Sequence, residues 1–254
     1  MKIVGIVPAR MASSRFPGKP LHPIVGRPML EHCYRRAALY DSWDRLVVAT
    51  CDREIQQFCE ASDMPAIMTA DTHTRALDRV AEAADKCGVT LGPEDVVVCV
   101  QADEPMLGPD VIEAVIKPFL DDPSVRGTLL GMQIVDEDQY RNPDIVKVVH
   151  DRNGDVLYTS RSPIPWCKSF SPELGARRIG GIFGFRRRFL DVFASMAESP
   201  LEIVEACDSN RFCDNGLRQR VAPVPYRPYF SVDSPADAVL VEKYIRQDPW
   251  WGKY

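Results

Sequence analysis

No apolar run in this 254-residue chain approaches the roughly 20 residues that a membrane-spanning helix needs. A membrane-inserted protein is therefore not expected. The opening segment Met1–Pro8 is too short in its apolar part for a signal peptide, and it runs straight into charge. Basic excess is missing as well. Lys and Arg number 31 against 36 Asp and Glu, for a formal net charge of −5. A nucleic-acid binder would carry a basic stripe, so that class is set aside, although a local cluster of cations can still serve a small anion. The eight cysteines (33, 51, 59, 87, 99, 167, 207 and 213) include no CxxC pair. That excludes the usual zinc and disulfide frameworks, and the cysteines read as reduced, mostly buried thiols of a cytoplasmic protein. His22, His32 and His150 lack the spacing of metal ligands and read as structural. Neither a Walker A loop nor a GxGxxG fingerprint is present.

What is present is an ordinary globular composition, 45% hydrophobic and 26% charged. No repeat, linker or low-complexity tract interrupts it, so residues 1–254 are expected to form one domain. Ile3–Val7, Leu46–Ala49 and Val96–Val100 are short continuous apolar runs, the pattern of strands buried on both faces. Helical spacing fills the gaps, within Arg27–Tyr40, at Leu77, Val80, Ala81 and Ala84, and from Val111 to Phe119 behind Pro109. This alternation predicts βαβ units and a mostly parallel sheet. The second half is richer in strands, at Thr128–Val135, Ile145–His150, Val156–Thr159, Ile179–Phe185 and Arg220–Val224. A hairpin turn is expected at Asp151–Gly154, a loop at Pro163–Leu174, and a closing helix at Pro235–Ile245 with Ser234 as its N-cap.

Three segments carry chemistry. The first follows the first strand and reads Pro8-Ala9-Arg10-Met11-Ala12-Ser13-Ser14-Arg15-Phe16-Pro17-Gly18-Lys19. Ligands in open α/β sheets bind beyond the carboxyl ends of strands. Arg10, Arg15 and Lys19 at such a place suit a polyphosphate, Arg through forked donors and Lys as a mobile charge. The alternative is a solvated basic loop. The second segment, Gln101-Ala102-Asp103-Glu104-Pro105, follows the third apolar strand and should share that rim. Asp103 either holds Mg²⁺ together with phosphate oxygens or caps the next helix. The third, Tyr229-Phe230-Ser231-Val232-Asp233-Ser234-Pro235, offers Asp233 the same two roles.

These segments occur in one order with Asn142–Val149, Leu157–Arg161, Ile164-Pro165-Trp166, Gly181–Arg186, Ser199-Pro200-Leu201-Glu202 and Val232–Pro235. In that order the chain resembles the 3-deoxy-manno-octulosonate cytidylyltransferases (CMP-KDO synthetases) from about residue 3 to about residue 245. The resemblance implies a nucleotide-diphospho-sugar transferase fold. That fold is a Rossmann-like, GT-A-type α/β sandwich on a mixed sheet, with a protruding sheet region that makes a homodimer. It implies Mg²⁺-dependent transfer of CMP from CTP to a small sugar acid, with release of pyrophosphate. Arg10, Ser13, Arg15, Lys19, Arg79 and Gln101 would meet the nucleotide. Gln101, Arg161 and Asp208 would meet the acceptor. Asp103 and Asp233 would hold Mg²⁺, and with Arg10 and Lys19 they make the catalytic set.

Departures from the family cluster on the acceptor side. Where the family has His-x-Ser-Gly-Thr-acid-Arg, this chain has His73-Thr74-Arg75-Ala76-Leu77-Asp78-Arg79. Arg75 either adds an anion contact or points to solvent. Ile179 stands where the family places a histidine, and Asp208-Ser209 replaces a longer acid and amide pair. Ala102 replaces a glycine. Three readings stay open: KDO as acceptor, a different acid (a modified KDO, another 2-keto sugar acid or a phosphonate), or a silent nucleotide-binding paralogue. The departures weigh toward another acid, and the intact cations and aspartates weigh against the silent paralogue.

Overall fold

A computed structural model of the chain describes residues 1–13 and 15–254. The order begins with β1 (Ile3–Ala9), a 3-10 turn at Lys19–Leu21, the short β2 (Pro23–Ile24) and β3 (Arg27–Pro28), and α1 (Met29–Ala37). Next come β4 (Arg45–Thr50), α2 (Arg53–Ala61), β5 (Ala66–Met68), α3 (Ala76–Lys86), β6 (Val96–Val100) and α4 (Pro109–Asp121). Then follow β7 (Gly127–Gln133), α5 (Glu137–Arg141), β8 (Lys147–His150), β9 (Val156–Ser160) and β10 (Arg177–Arg186). The chain closes with α6 (Arg187–Ser195), α7 (Pro200–Glu205), α8 (Ser209–Asp214), β11 (Arg220–Val224) and α9 (Pro235–Ile245). Among the described residues no helix is long and apolar enough to cross a membrane.

The main sheet path is β11-β7-β10-β6-β1-β4-β5. β1 runs parallel to β4 and β6, with Ile6 opposite both Val47 and Cys99. Every residue of β1 and β6 is buried, because helices cover both faces, and this is why those strands read as unbroken apolar runs. One face packs Met29, Leu30 and Cys33 of α1, Val111 and Ile112 of α4, and Val241 and Ile245 of α9. The other packs Leu77, Val80 and Ala84 of α3 against aromatics of α6 and α8. Phe212 stacks there on Phe189 at 4.8 Å and on Phe185 at 5.6 Å. Each such fully buried side chain contributes about 1.5–3 kcal/mol of transfer free energy.

The expectation of a mostly parallel sheet needs one correction. β10 runs antiparallel to both β6 and β7. Its apolar run is legible in sequence, but side-chain alternation carries no direction. β10 also bulges. Its register with β7 shifts between Ile179 and Phe183, and Gly180-Gly181 lie in the shift. At its start, Arg177 and Arg178 pair with Val148 and Lys147, so the β8–β9 hairpin branches off the main path. A small cluster of Ile134, Tyr140 and Ala176 lies apart from the two main cores. The C-terminal aromatics pack on the body of the protein. Trp251 stacks over His32 at 6.1 Å, and His32 is hydrogen-bonded to the Ile24 carbonyl and the Tyr254 hydroxyl, both at 2.8 Å.

Candidate active site

β1 and β6 are parallel neighbours, so the loops after Ala9 and Val100 leave from one rim. The basic loop folds on itself. The Met11 carbonyl accepts from Ser13 N (3.0 Å) and Gly18 N (3.1 Å), while Met11 N donates to Asp52 Oδ2 at 2.8 Å. Gly18 closes the turn in the left-handed region at φ 73°, where a side chain would be strained. This turn aims Lys19 inward. Its Nζ donates to Asp103 Oδ2 and to the Val232 carbonyl, both at 2.8 Å, and lies 3.6 Å from Asp233 Oδ1. Arg15 Nη2 donates to Asp233 Oδ1 at 2.9 Å.

Asp103, in the middle of the chain, and Asp233, near its end, thus converge, joined by Val232 N donating to the Asp103 carbonyl at 2.9 Å. Neither is a helix cap. Gly108 precedes α4, and Ser234 caps α9 in a capping box with Asp237. The helix-cap alternative for both carboxylates therefore falls away. Burial pushes the Asp233 carboxyl above its ordinary range, helped by the Asp103 charge and opposed by Lys19 and Arg15. For Lys19, burial pulls downward, but Asp103, through charge and hydrogen bond, and Asp233 more than offset it, so the ammonium is held above its ordinary range.

Two observations bear on a metal. Asp103 Oδ1 is buried without a hydrogen-bond partner, leaving an acceptor lone pair uncommitted beside the cavity. Among the described residues no group of three or more His, Cys, Asp or Glu is placed to hold a metal. Two carboxylates and no third protein ligand fit Mg²⁺, which completes its shell with phosphate oxygens and water.

Behind Asp103 lies Glu104, a residue to which the sequence alone gives no role. It is 2% exposed. Its Oε1 accepts from Gly181 N at 2.9 Å and from Ser231 Oγ at 2.7 Å, tying the β6 loop to the β10 bulge and to the segment bearing Asp233. Burial, then the Asp103 charge, push its carboxyl up to about 7. A Cβ on Gly181 would stand 2.5 Å from Glu104 Oε1, so only glycine allows this approach.

The cavity so formed measures about 300 Å³ and gathers Arg10, Ser13, Arg15, Lys19, Arg79, Gln101, Asp103 and Asp233 on its lining. His73, Thr74, Arg75 and Ala76 line it as well. Arg79 is buried, and its guanidinium donates to Thr69 Oγ1 and to the carbonyls of Ala70 (3.3 Å) and His73 (3.5 Å), so it shapes the cavity wall. Arg161 and Asp208 stand outside the lining. The Arg161 guanidinium donates to the carbonyls of Glu205 (2.8 Å) and Pro143 (2.9 Å). Asp208, at the start of α8, is pushed up to about 6 by burial, against the charge of Arg75. Ile179 packs beside the apolar cluster on the α3 face.

A family model described as cytidylyltransferase matches residues 4–219. A 3-deoxy-manno-octulosonate cytidylyltransferase of Nitratidesulfovibrio vulgaris is 41% identical over 250 residues, covering 96% of each chain. The enzyme of that name from Syntrophotalea carbinolica is 38% identical over 254 residues, covering 97% of this chain and 99% of its own. A solved structure of CMP:2-keto-3-deoxy-manno-octonic acid synthetase complexed with CTP superposes with TM-score 0.87 at 34% identity, covering 97% of this chain and 99% of that one.

Proposed function

The chain belongs to the cytidylyltransferase family, and from that membership we propose that it transfers CMP from CTP to 3-deoxy-manno-octulosonate, releasing pyrophosphate. The observation that carries the reading is the convergence of Asp103 and Asp233 on Lys19 and Arg15 at the mouth of one cavity. The acceptor departures weigh toward another acid. Relatives named for this acid, aligned over nearly the whole chain, weigh more heavily.

In this mechanism Arg10, Arg15, Lys19 and Ser13 bind the triphosphate. Gln101 spends its backbone N–H on the Gly181 carbonyl at 2.9 Å, which fixes the strand end and leaves its carboxamide on the cavity wall. The acceptor hydroxyl attacks the α-phosphorus in line with the leaving pyrophosphate. One P–O bond forms, one breaks, and the hydroxyl proton passes to solvent. Lys19 and the arginines stabilise charge gathering on pyrophosphate. Mg²⁺ held by Asp103 and Asp233 would lower the hydroxyl's pKa and neutralise developing charge.

The eight free thiols fit a reducing, cytoplasmic setting. Leu157, Trp166, Ile203 and Val204 are large exposed apolar residues, from 56% to 83% exposed. β9 carries Leu157 and α7 carries Ile203 and Val204, and the Tyr158 hydroxyl donates to Glu205 at 2.8 Å between them. Exposed apolar side chains of this size support the homodimer.

Pyrophosphate release from CTP should require both this acid and Mg²⁺, and should stop on chelation and return on adding Mg²⁺. Release that ignores the acid, or persists undiminished in excess chelator, contradicts the proposal. Gly181→Ala is a more local test. The added methyl must displace Glu104, at a cost of about 1–3 kcal/mol in a urea melt. Turnover by the still-folded variant is expected to fall by about 10-fold or more, since a misplacement of about 1 Å costs more than that.

A further inference from the structure

The acceptor is an acid, so its carboxylate needs a cation, and the cavity's cations can be counted by what already holds them. Lys19 and Arg15 face the two aspartates, and Arg10, which also lines the cavity, is taken up by the triphosphate in the mechanism above. Arg79 is committed to the loop carbonyls and Thr69. Arg161, the arginine that family resemblance offers for the acceptor, gives Nε and Nη1 to backbone carbonyls, and its own N–H to Glu205 Oε2 at 2.8 Å. It locks the segment after β9 and does not line the cavity.

Arg75 differs on each count. It lines the cavity, at the N-terminal boundary of α3. It is tied through Nε alone, to Glu198 Oε1 at 2.7 Å, with Glu202 Oε1 at 3.8 Å. Nη1 and Nη2 make no hydrogen bond among the described residues. That leaves the forked edge of the guanidinium, the edge that matches a carboxylate with two parallel bonds. The tether is anchored from behind. Glu202 is fully buried and held by Arg211 through two bonds of 2.7 Å, and its charge also acts on Arg75. Asp208 lies close enough for its charge and that of Arg75 to act on each other. Its carboxyl makes no side-chain hydrogen bond among the described residues. A free fork of donors on the cavity wall is complementary to a carboxylate.

We propose that Arg75, and not Arg161, receives the carboxylate of the acceptor. This rests on the cytidylyl-transfer reading above. It also gives a role to the largest departure from the family pattern, where a small polar residue has become a cation.

The test is steady-state pyrophosphate release by the wild-type enzyme, Arg75→Gln, Arg75→Lys and Arg161→Gln, with 3-deoxy-manno-octulosonate and with its methyl ester. Arg75→Gln is expected to raise KM for the acid by roughly 10- to 100-fold, the range for a charge-assisted hydrogen-bond pair. KM for CTP should stay within about 2-fold, and the preference for acid over ester should disappear. Arg75→Lys, which keeps the charge and loses the fork, should fall between. Arg161→Gln should retain the preference. An active wild-type enzyme whose Arg75→Gln variant still prefers the acid, or loses CTP affinity instead, overturns this assignment alone, as does loss of the preference in Arg161→Gln. A wild-type enzyme that releases no pyrophosphate with CTP and this acid removes the transfer reading, and this assignment with it.

Discussion

Asp103→Asn and Asp233→Asn are each expected to lower kcat for CMP transfer by roughly 10³-fold while CTP binding, followed by calorimetry without metal, changes little. The expectation comes from what the carboxylates do before any ligand arrives. Asp103 presents one oxygen to Lys19 and keeps the other buried and unpartnered. An asparagine oxygen still accepts from Lys19, so the basic loop stays in place and triphosphate binding persists. What disappears is a negative charge facing the site where charge develops. The same holds at Asp233, where Arg15 and Lys19 flank the carboxylate. Near-normal turnover by either variant in Mg²⁺ discards the assignment of these two residues to the metal.

The largest expected effect on stability lies at the buried pair behind the acceptor side. Arg211 and Glu202 are 2% and 0% exposed and make two bonds of 2.7 Å. Arg211 also lies 3.9 Å over the Phe193 ring and 3.3 Å from Asp78. Removing the cation alone strands a carboxylate that has no access to water. Arg211→Met is therefore expected to cost about 3–5 kcal/mol, or roughly 10 °C in melting temperature. Adding Glu202→Gln removes the stranded charge, and the amide can still serve the Ser199 capping box. The double variant should regain more than half of the loss in a thermal melt. Equal stability of the single and double variants would show that the pair is not coupled.

Residues whose role follows from local pattern were legible in the sequence. β6 spans Val96–Val100, the same bounds as its apolar run, and Ser234 caps a helix at Pro235–Ile245 as its spacing requires. α7 and α8 are not legible, since six residues give too few turns for a helical period to stand out. α2 and β5 escaped for a similar reason, one with Ile55 and Cys59 as its buried positions and the other only three residues long. In the site, position after a strand marked Asp103, and a strand-to-helix boundary marked Asp233. Their pairing with Lys19 was not legible, because it joins segments 84 and 214 residues away from that lysine. Glu104 and Glu198 gave no local signal, because their meaning lies in Gly181 and Arg75, far off in sequence. Arg161, given a ligand role by resemblance, donates from Nε and Nη1 to the Glu205 and Pro143 carbonyls, contacts that no local pattern signals.

The ammonium of Lys19 between two aspartates, with Arg15 on the second, has a consequence for how ligands enter. Two carboxylates and two cations sum to zero formal charge, so the resting site is an internal salt. A polyanion arriving there is not simply drawn to a positive loop. It swaps partners with carboxylates already in place, and the freed carboxylates then seek a cation of their own. On the proposed mechanism, nucleotide and cation would therefore favour each other's entry by the same factor. The ionic-strength dependence of that entry reflects the difference between two ion-paired states, not the raw charge of Arg10, Arg15 and Lys19.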